Sequence, residues 1–325
     1  MKNTLTNRRS FVTASSATLA AGVAAGNVQQ LPAQTAAPSS SQPPRPHPSF
    51  RYCLNTSTIN GSQVPLRKQL EIAATAGYDA VELWLRDIQK FLQEGGQLAD
   101  LQKELRDLGL GLDSAIAFGN WIVDDPSQRA QGLEQCRRDM DTVRELGGRR
   151  IAAPPSGATN EPKLNLDDVA ERYRALLDVG RGCEVTPQVE LWGFSQNLST
   201  LAELLYVAAA AQHPDACLLL DVYHLYKGGN DFCNMGLVPA ARMPCLHMND
   251  YPATPIRPEI GDKDRVYPGD GVAPLGEILR TLVAGGFAGT LSLELFNRDY
   301  WQQAPLQVAT TGLEKMKATV QAAFA

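Results

Sequence analysis

The sequence predicts an α/β chain closed into a single (β/α)8 barrel, on three observations. From Phe50 onward, short apolar runs alternate with longer amphipathic stretches, the rhythm of strand and helix in turn. Eight such runs fall within the 277 residues after Pro48, close to the ~250 of a typical eight-stranded barrel. The stretch after the first run, TSTINGSQ, is no Gly-rich nucleotide fingerprint, which a doubly wound open sheet would normally carry there.

The first predicted strand is FRYCLNTSTI (50–59), and Pro65 opens an amphipathic helix through LRKQLEIAATAGYD that Gly77 ends. AVELWL (80–85) is the second strand, LADLQKELRDLGL the helix behind it, and GLDSAIAF (111–118) the third strand. Asp125-Pro126 starts a long helix to about Leu146, Gly147-Gly148 closes it, and RIAAP (150–154) is the fourth strand. Asn165 to Asp168 cap a helix through ERYRALLDVG before strand five, QVELW (188–192). LSTLAELLYVAAAAQ is helical up to His213-Pro214, and ACLLLD (216–221) is strand six. An irregular stretch with Gly228-Gly229 leads to strand seven, MPCLHM (243–248). A long loop then precedes LGEILRTLVAGG, strand eight TLSLELF (290–296) and a closing helix over 305–324.

The N-terminus has a different composition. Its first 48 residues hold Lys2, Arg8, Arg9 and Arg45 and no acid. The remainder therefore carries about −9, which argues against a nucleic-acid surface. Arg8-Arg9-Ser10-Phe11-Val12, followed by an Ala-rich run from Thr13 to Ala25, resembles a twin-arginine export signal over about 1–26. The run falls short of the ~18 apolar residues of a membrane span. A Pro/Ser-rich linker (27–48) separates it from the barrel (49–325), and the expected location is periplasmic. The six cysteines show no CxxC spacing and read as small buried apolar residues.

Four successive predicted strands end in a polar residue: Glu190, Asp221, His247 and Glu294. Taken singly, each acid reads as a solvated rim residue and the histidine as a core histidine. Taken together, they converge, because the C-terminal ends of neighbouring barrel strands form the active face. Three carboxylates ~5 Å apart at an effective dielectric of ~20 repel by roughly 3 kcal/mol per pair. A divalent cation takes the formal charge of the set from −3 to −1. Three oxygens, one imidazole and no thiolate suit Mn²⁺, Co²⁺, Mg²⁺ or Zn²⁺, with manganese favoured, and leave positions for substrate oxygens.

At these residues the chain resembles the xylose isomerase-like TIM barrels, in particular the sugar phosphate isomerase/epimerase group with ketose 3-epimerases and inosose dehydratases. The resemblance runs from about Phe50 to the C-terminus and implies a (β/α)8 TIM barrel. Its Glu, Asp, His, Glu metal set falls on Glu190, Asp221, His247 and Glu294. Its Asp-x-x-His pattern falls on Asp221 to His224, and its Arg-x-x-Pro-Gly-x-Gly pattern on Arg265 to Gly271. The resemblance thus implies substrate binding by His224 and Arg265. It also implies proton removal by one of Glu190 and Glu294 and return by the other, through an enediolate. The expected activity is that of a metal-dependent isomerase or epimerase of a keto-sugar or cyclitol. A dehydratase or lyase on an inosose or 3-keto-glycoside is the rival, and a non-catalytic exported sugar-binding protein the alternative of another class. An abasic-site endonuclease of the same superfamily needs many histidines, and the chain has His47, His213, His224 and His247.

Further expectations concern the pocket wall and the loops. Glu82, Trp84, Trp192, Tyr223 and Phe296 are candidates to line the pocket, Glu82 and Trp192 as substrate contacts. Asp250 reads as a solvated loop acid, the loop from Tyr251 to Lys263 as a cover for the mouth, and Gly269 and Gly271 as a candidate phosphate cradle. Export argues for a free sugar, cyclitol or keto-glycoside. The partner is a small molecule; a homo-oligomer is compatible with the sequence and not required by it.

Overall fold

The structure is a computed structural model, and it describes residues 50–325. The expected export signal and linker lie outside these residues. The strands are β1 Arg51–Asn55, β2 Ala80–Trp84, β3 Gly111–Ile116, β4 Arg150–Ala153, β5 Thr186–Glu190, β6 Leu218–Asp221, β7 Cys245–Met248 and β8 Thr290–Leu293. They form one eight-stranded sheet in the order β3-β2-β1-β8-β7-β6-β5-β4, and every pair is parallel. The pairing of β1 with β8 brings the first and last strands together and curls the sheet into a nearly closed barrel. At the remaining seam, Arg150 Nη2 of β4 donates to Asp113 Oδ1 of β3 at 2.7 Å, and Gln188 Nε2 reaches Ser114 Oγ at 3.2 Å. Thr290 Oγ1 donates to the same Asp113 oxygen at 2.8 Å, so β8 is tied to that seam from across the barrel.

Nine α-helices pack among the described residues: α1 Leu66–Ala76, α2 Leu85–Gln93, α3 Leu98–Asp107, α4 Pro126–Glu145, α5 Leu166–Cys183, α6 Leu201–Ala210, α7 Val222–Lys227, α8 Leu275–Ala284 and α9 Pro305–Phe324. The caps read from the sequence are present. The Asp125 side chain accepts from Gln128 N, and that of Asn165 from Asp167 N. Gly77 ends α1 at φ 91°, a left-handed conformation that glycine reaches without a Cβ clash.

The differences from expectation gather at the C-terminal ends of strands. β1 stops at Asn55, because the Asn55 side chain accepts from Ser57 N at 3.1 Å and turns the chain into a 3-10 helix. α2 starts directly after Trp84, and α7 directly after Asp221, whose side chain caps it by accepting from His224 N at 2.8 Å. β1 and β6 thus end where a polar side chain captures a backbone N–H group. The core between strands and helices is built from residues such as Leu54, Leu83, Leu220, Leu291 and Leu293, all fully buried. A second apolar cluster joins Trp84, Ile116, Ala152, Leu219 and Cys245. Five cysteines are buried, as expected; Cys233 is exposed, on a 3-10 segment. No helix among the described residues is long and apolar enough to cross a membrane.

Candidate active site

Strand register sets the geometry. Asp221 pairs with His247, His247 with Ser292, and Glu294 follows the last residue of β8. The side chains of Asp221 and His247 are fully buried, and Glu190 and Glu294 are each 4% exposed. His247 Nδ1 lies 3.2 Å from Glu294 Oε2 and 3.8 Å from Asp221 Oδ2. Two ligands bound at ~2.1 Å to one ion lie about 3.0–3.4 Å apart, so these atoms are near ligand spacing. Neither ring nitrogen of His247 makes an aligned hydrogen bond. The buried, unpartnered Nδ1 between two carboxylates fits a divalent cation. Among the described residues two groups bring ligand atoms within 4.8 Å of one another: Glu82, Cys245 and His247, and the thiol-free group of Asp221, His247 and Glu294. Glu190 stands outside that group and lines the same cavity as Glu294.

The charge balance agrees. Four buried carboxylates, Glu82, Glu190, Asp221 and Glu294, face the guanidinium of Arg265 and the imidazole of His247. Burial pushes the Glu190 carboxyl up to about 8; His247 opposes this, and the Glu294 and Asp221 charges add to it. Burial likewise raises Asp221 to about 6 against the pull of Arg265. Burial alone would lower the His247 imidazole, but the Glu294 and Glu82 charges hold it well above its ordinary value. Burial would raise Glu294, yet His247 and Arg265 keep it well below the usual carboxylate range. Burial that raises two acids of one site is a cost that a divalent ion bound there would offset.

Glu82, expected to touch substrate, is placed elsewhere. It is fully buried and borders His247, not the cavity. Its Oε2 lies 3.0 Å from His247 Nε2 and accepts from Ser292 Oγ, with Asn55 Nδ2 at 3.5 Å. With Glu82 on the Nε2 side, Nδ1 is the ring atom that faces the carboxylates of Asp221 and Glu294. Its contacts with His247 Nε2 and Ser292 Oγ hold the carboxylate behind the imidazole and away from the cavity.

The cavity is about 210 Å³ and is lined by Glu190, His224, Asp262, Arg265 and Glu294 on its polar side. Trp84, Ile116, Phe118, Trp192, Phe194 and Phe296 form the apolar wall. The volume is below the ~300–1,000 Å³ of clefts for drug-sized ligands, and suits a single ring. Tyr223 does not line it; that ring is buried beneath the Arg265 guanidinium, 4.4 Å from ring centre to Cζ. Arg265 is 1% exposed and donates from Nη1 to Asp221 Oδ2 at 3.0 Å and to Glu294 Oε2 at 2.8 Å. Its Nη2 donates to Asp262 Oδ1 at 2.6 Å and lies 3.1 Å from His224 Nε2. Because Arg only donates, His224 Nε2 accepts and its proton sits on Nδ1. Burial and the neighbouring guanidinium hold that imidazole well below its ordinary pKa, so it is neutral.

Several site residues escaped the sequence reading. Asn55 Nδ2 donates to Glu294 Oε1 at 2.9 Å while its Oδ1 accepts from Trp84 Nε1 at 2.9 Å. Asn249 Nδ2 donates to Asp221 Oδ2 at 2.8 Å. Both sit at or just past strand ends, the same signal that found the quartet. Phe118 ends the run read as strand three but lies past the end of β3, and Phe194 lies in the loop beyond β5.

Two loop expectations are corrected. Asp250 is 1% exposed, not solvated: its Oδ2 accepts from Gly269 N at 3.0 Å and Gly271 N at 3.1 Å, its Oδ1 from Ala273 N at 2.9 Å and Tyr251 N at 2.8 Å. The amides expected to cradle a phosphate are therefore held by the chain's own carboxylate. A Cβ on Gly271 would stand 2.3 Å from that carboxylate, which is why glycine is needed there. The loop after β7 is pinned by Lys227 Nζ, which donates to the carbonyls of Arg257, Pro258 and Ile260, and it brings Asp262 to the cavity edge.

The chain is similar to several known proteins in sequence and fold. The inosose isomerase of Bacillus velezensis is 26% identical over 285 residues, 85% of this chain and 99% of that protein. The 3-dehydroshikimate dehydratase of Pseudomonas aeruginosa is 28% identical over 266 residues, 80% of this chain and 40% of that protein. Among solved structures, the IolI protein with a bound zinc atom has the same fold at a TM-score of 0.78 and 21% identity, with 85% of this chain and 100% of that chain covered. The model of the family described as xylose isomerase-like TIM barrel matches residues 70–319, and the chain belongs to that family.

Proposed function

We propose that the protein is a divalent-metal-dependent isomerase or epimerase of a keto-sugar or cyclitol. The observation that carries this reading is that Glu190 and Glu294, from β5 and the end of β8, border one ring-sized cavity that also holds His224 and Arg265. Asp221, His247 and Glu294 would hold the ion, with Glu190 completing the set, and Mn²⁺ is the favoured occupant of this oxygen-rich group. When bound, the ion supplies Lewis-acid stabilisation of charge developing on a substrate oxygen. One of Glu190 and Glu294 removes the proton beside a substrate carbonyl, and the other returns a proton from its own side of the cavity. His224 and Arg265, which both line the cavity, orient the oxygens. Trp192, Trp84 and Phe296 pack the sugar's C–H face and exclude water.

Occupation of the Gly269 and Gly271 amides by Asp250 supports a substrate without phosphate. The Arg8-Arg9 motif with its apolar run supports export to the periplasm by the twin-arginine route. A chain lacking residues 1–26 should then stay in the cytoplasm, which fractionation checks. A dehydratase reading draws on the similarity to the P. aeruginosa enzyme. It uses the same proton abstraction, followed by loss of a β leaving group. The deciding experiment incubates Mn²⁺-loaded protein with free ketoses and inososes in D₂O. Deuterium uptake with epimer or isomer formation supports the proposal, an unsaturated product supports the dehydratase, and binding without exchange across the panel overturns both.

A further inference from the structure

We propose that Arg265 is a built-in competitor of the divalent ion, a positioning residue that gives up its inner contacts when the ion binds. This rests on reading the site as a metal centre. The Nη1 of Arg265 donates to Asp221 Oδ2 and Glu294 Oε2 at 3.0 and 2.8 Å. These are the same oxygens that approach His247 Nδ1. A carboxylate offers about four lone-pair sites, roughly two per oxygen. Asp221 Oδ2 accepts from Asn249 Nδ2 at 2.8 Å as well as from Arg265. A metal bond to that oxygen therefore requires one donor to leave.

Asn249 is anchored at both ends of its amide. Its Oδ1 accepts from Tyr223 N at 2.9 Å, and its Nδ2 also reaches the Glu294 carbonyl at 3.4 Å. Arg265 has somewhere to go. Its Nη2 already donates to Asp262 at 2.6 Å, its Nε has no partner, and its guanidinium lies against the Tyr223 and Phe296 rings, 4.4 and 5.0 Å from their centres. The Asp262 side chain is 41% exposed at the cavity edge, so movement toward it carries the guanidinium outward, to where a substrate oxygen enters. Repulsion between the guanidinium and a doubly charged ion acts in the same direction. The site then loads in order, ion first and substrate second, with Arg265 released to the substrate by the ion.

The test titrates full-length wild type, Arg265→Met, Asp262→Asn and the double variant with Co²⁺, read by calorimetry and by visible absorption, with circular dichroism as the folding control. Wild type should bind one ion, and Arg265→Met should bind it about tenfold more tightly, within the range of couplings between touching residues. Asp262→Asn, which removes the outer partner, should weaken binding about threefold in the wild-type background and have no effect beside Arg265→Met. Arg265→Lys, which cannot span both oxygens as the planar fork does, should tighten binding by a smaller factor and serves if the Met variant does not fold. Wild-type binding with no tightening in the Arg265 variants, or an equal Asp262→Asn effect in both backgrounds, overturns the competition and leaves the metal centre standing. Absence of any Co²⁺ binding by wild type overturns both.

Discussion

The chemistry of the site depends on single side chains whose partners are now specific. Glu82 does not line the cavity and stands behind His247, so on the proposed reading Glu82→Gln should cost about 10–100-fold in metal affinity, as loss of a ligand's outer partner does. Calorimetry with Mn²⁺ checks this. The proposed function gives Glu294 a double role, and on that reading Glu294→Gln should lower turnover by about 10²-fold or more and weaken ion binding, with an unchanged circular dichroism spectrum. Wild-type rates in that variant would remove the site from consideration. Asp139 on α4 provides a test free of any metal. It is 5% exposed, and burial raises its carboxyl to about 6, with hydrogen bonds from Gln135 and Gln89 and the Arg138 charge opposing. An acid whose folded pKa exceeds its unfolded ~3.9 contributes stability that is present below that value and lost as pH rises through about 6. Asp139→Asn should therefore stabilise the protein by about 1–3 kcal/mol at pH 7.5, the gain fading toward pH 4 in denaturant titrations.

Between strand and helix, the barrel uses polar side chains to stop a strand and open the next helix or loop. Asp221 is the clearest case: the same carboxylate caps α7 through His224 N and turns its other oxygen to the site. Asp250 does this for the long loop after β7, gathering four backbone amides. Asp250→Ala leaves those donors unsatisfied at a cost of about 1–3 kcal/mol or more, and should loosen the segment that carries Arg265 and Asp262. The expected result is a raised KM and faster proteolysis between residues 250 and 273, with the helical spectrum kept. These elements also mark where sequence reading reached and stopped. Periodicity located all eight strands, but β1 ends at Asn55, four residues short of the Ile59 at which its apolar run stops. The Asn55 side chain ended it by turning back on Ser57 N, and hydropathy does not register such a contact. Phe194 was missed because a loop aromatic carries no repeat, and Phe118 because the end of an apolar run does not show which way its last ring turns.

Over the whole molecule, binding to the folded chain alone must raise its stability. At an ion concentration ~100 times Kd the gain is about 2.7 kcal/mol, or roughly 4–5 °C in Tm for a chain of this size. Chelator-treated protein should melt lower by that amount and recover on adding Mn²⁺, in a scanning-calorimetry comparison. The closed barrel and the order of Glu190, Asp221, His247 and Glu294 on successive strand ends were legible in the residues alone, because a parallel barrel sends every strand's C-terminal end to one face. The folded chain was needed to place Glu82 behind His247, to fill the glycine amides with Asp250, and to show Arg265 donating to the carboxylates of the candidate ligands Asp221 and Glu294. Those facts depend on register between distant strands and on which donor reaches a buried oxygen first, and neither is written in the local pattern of any one segment.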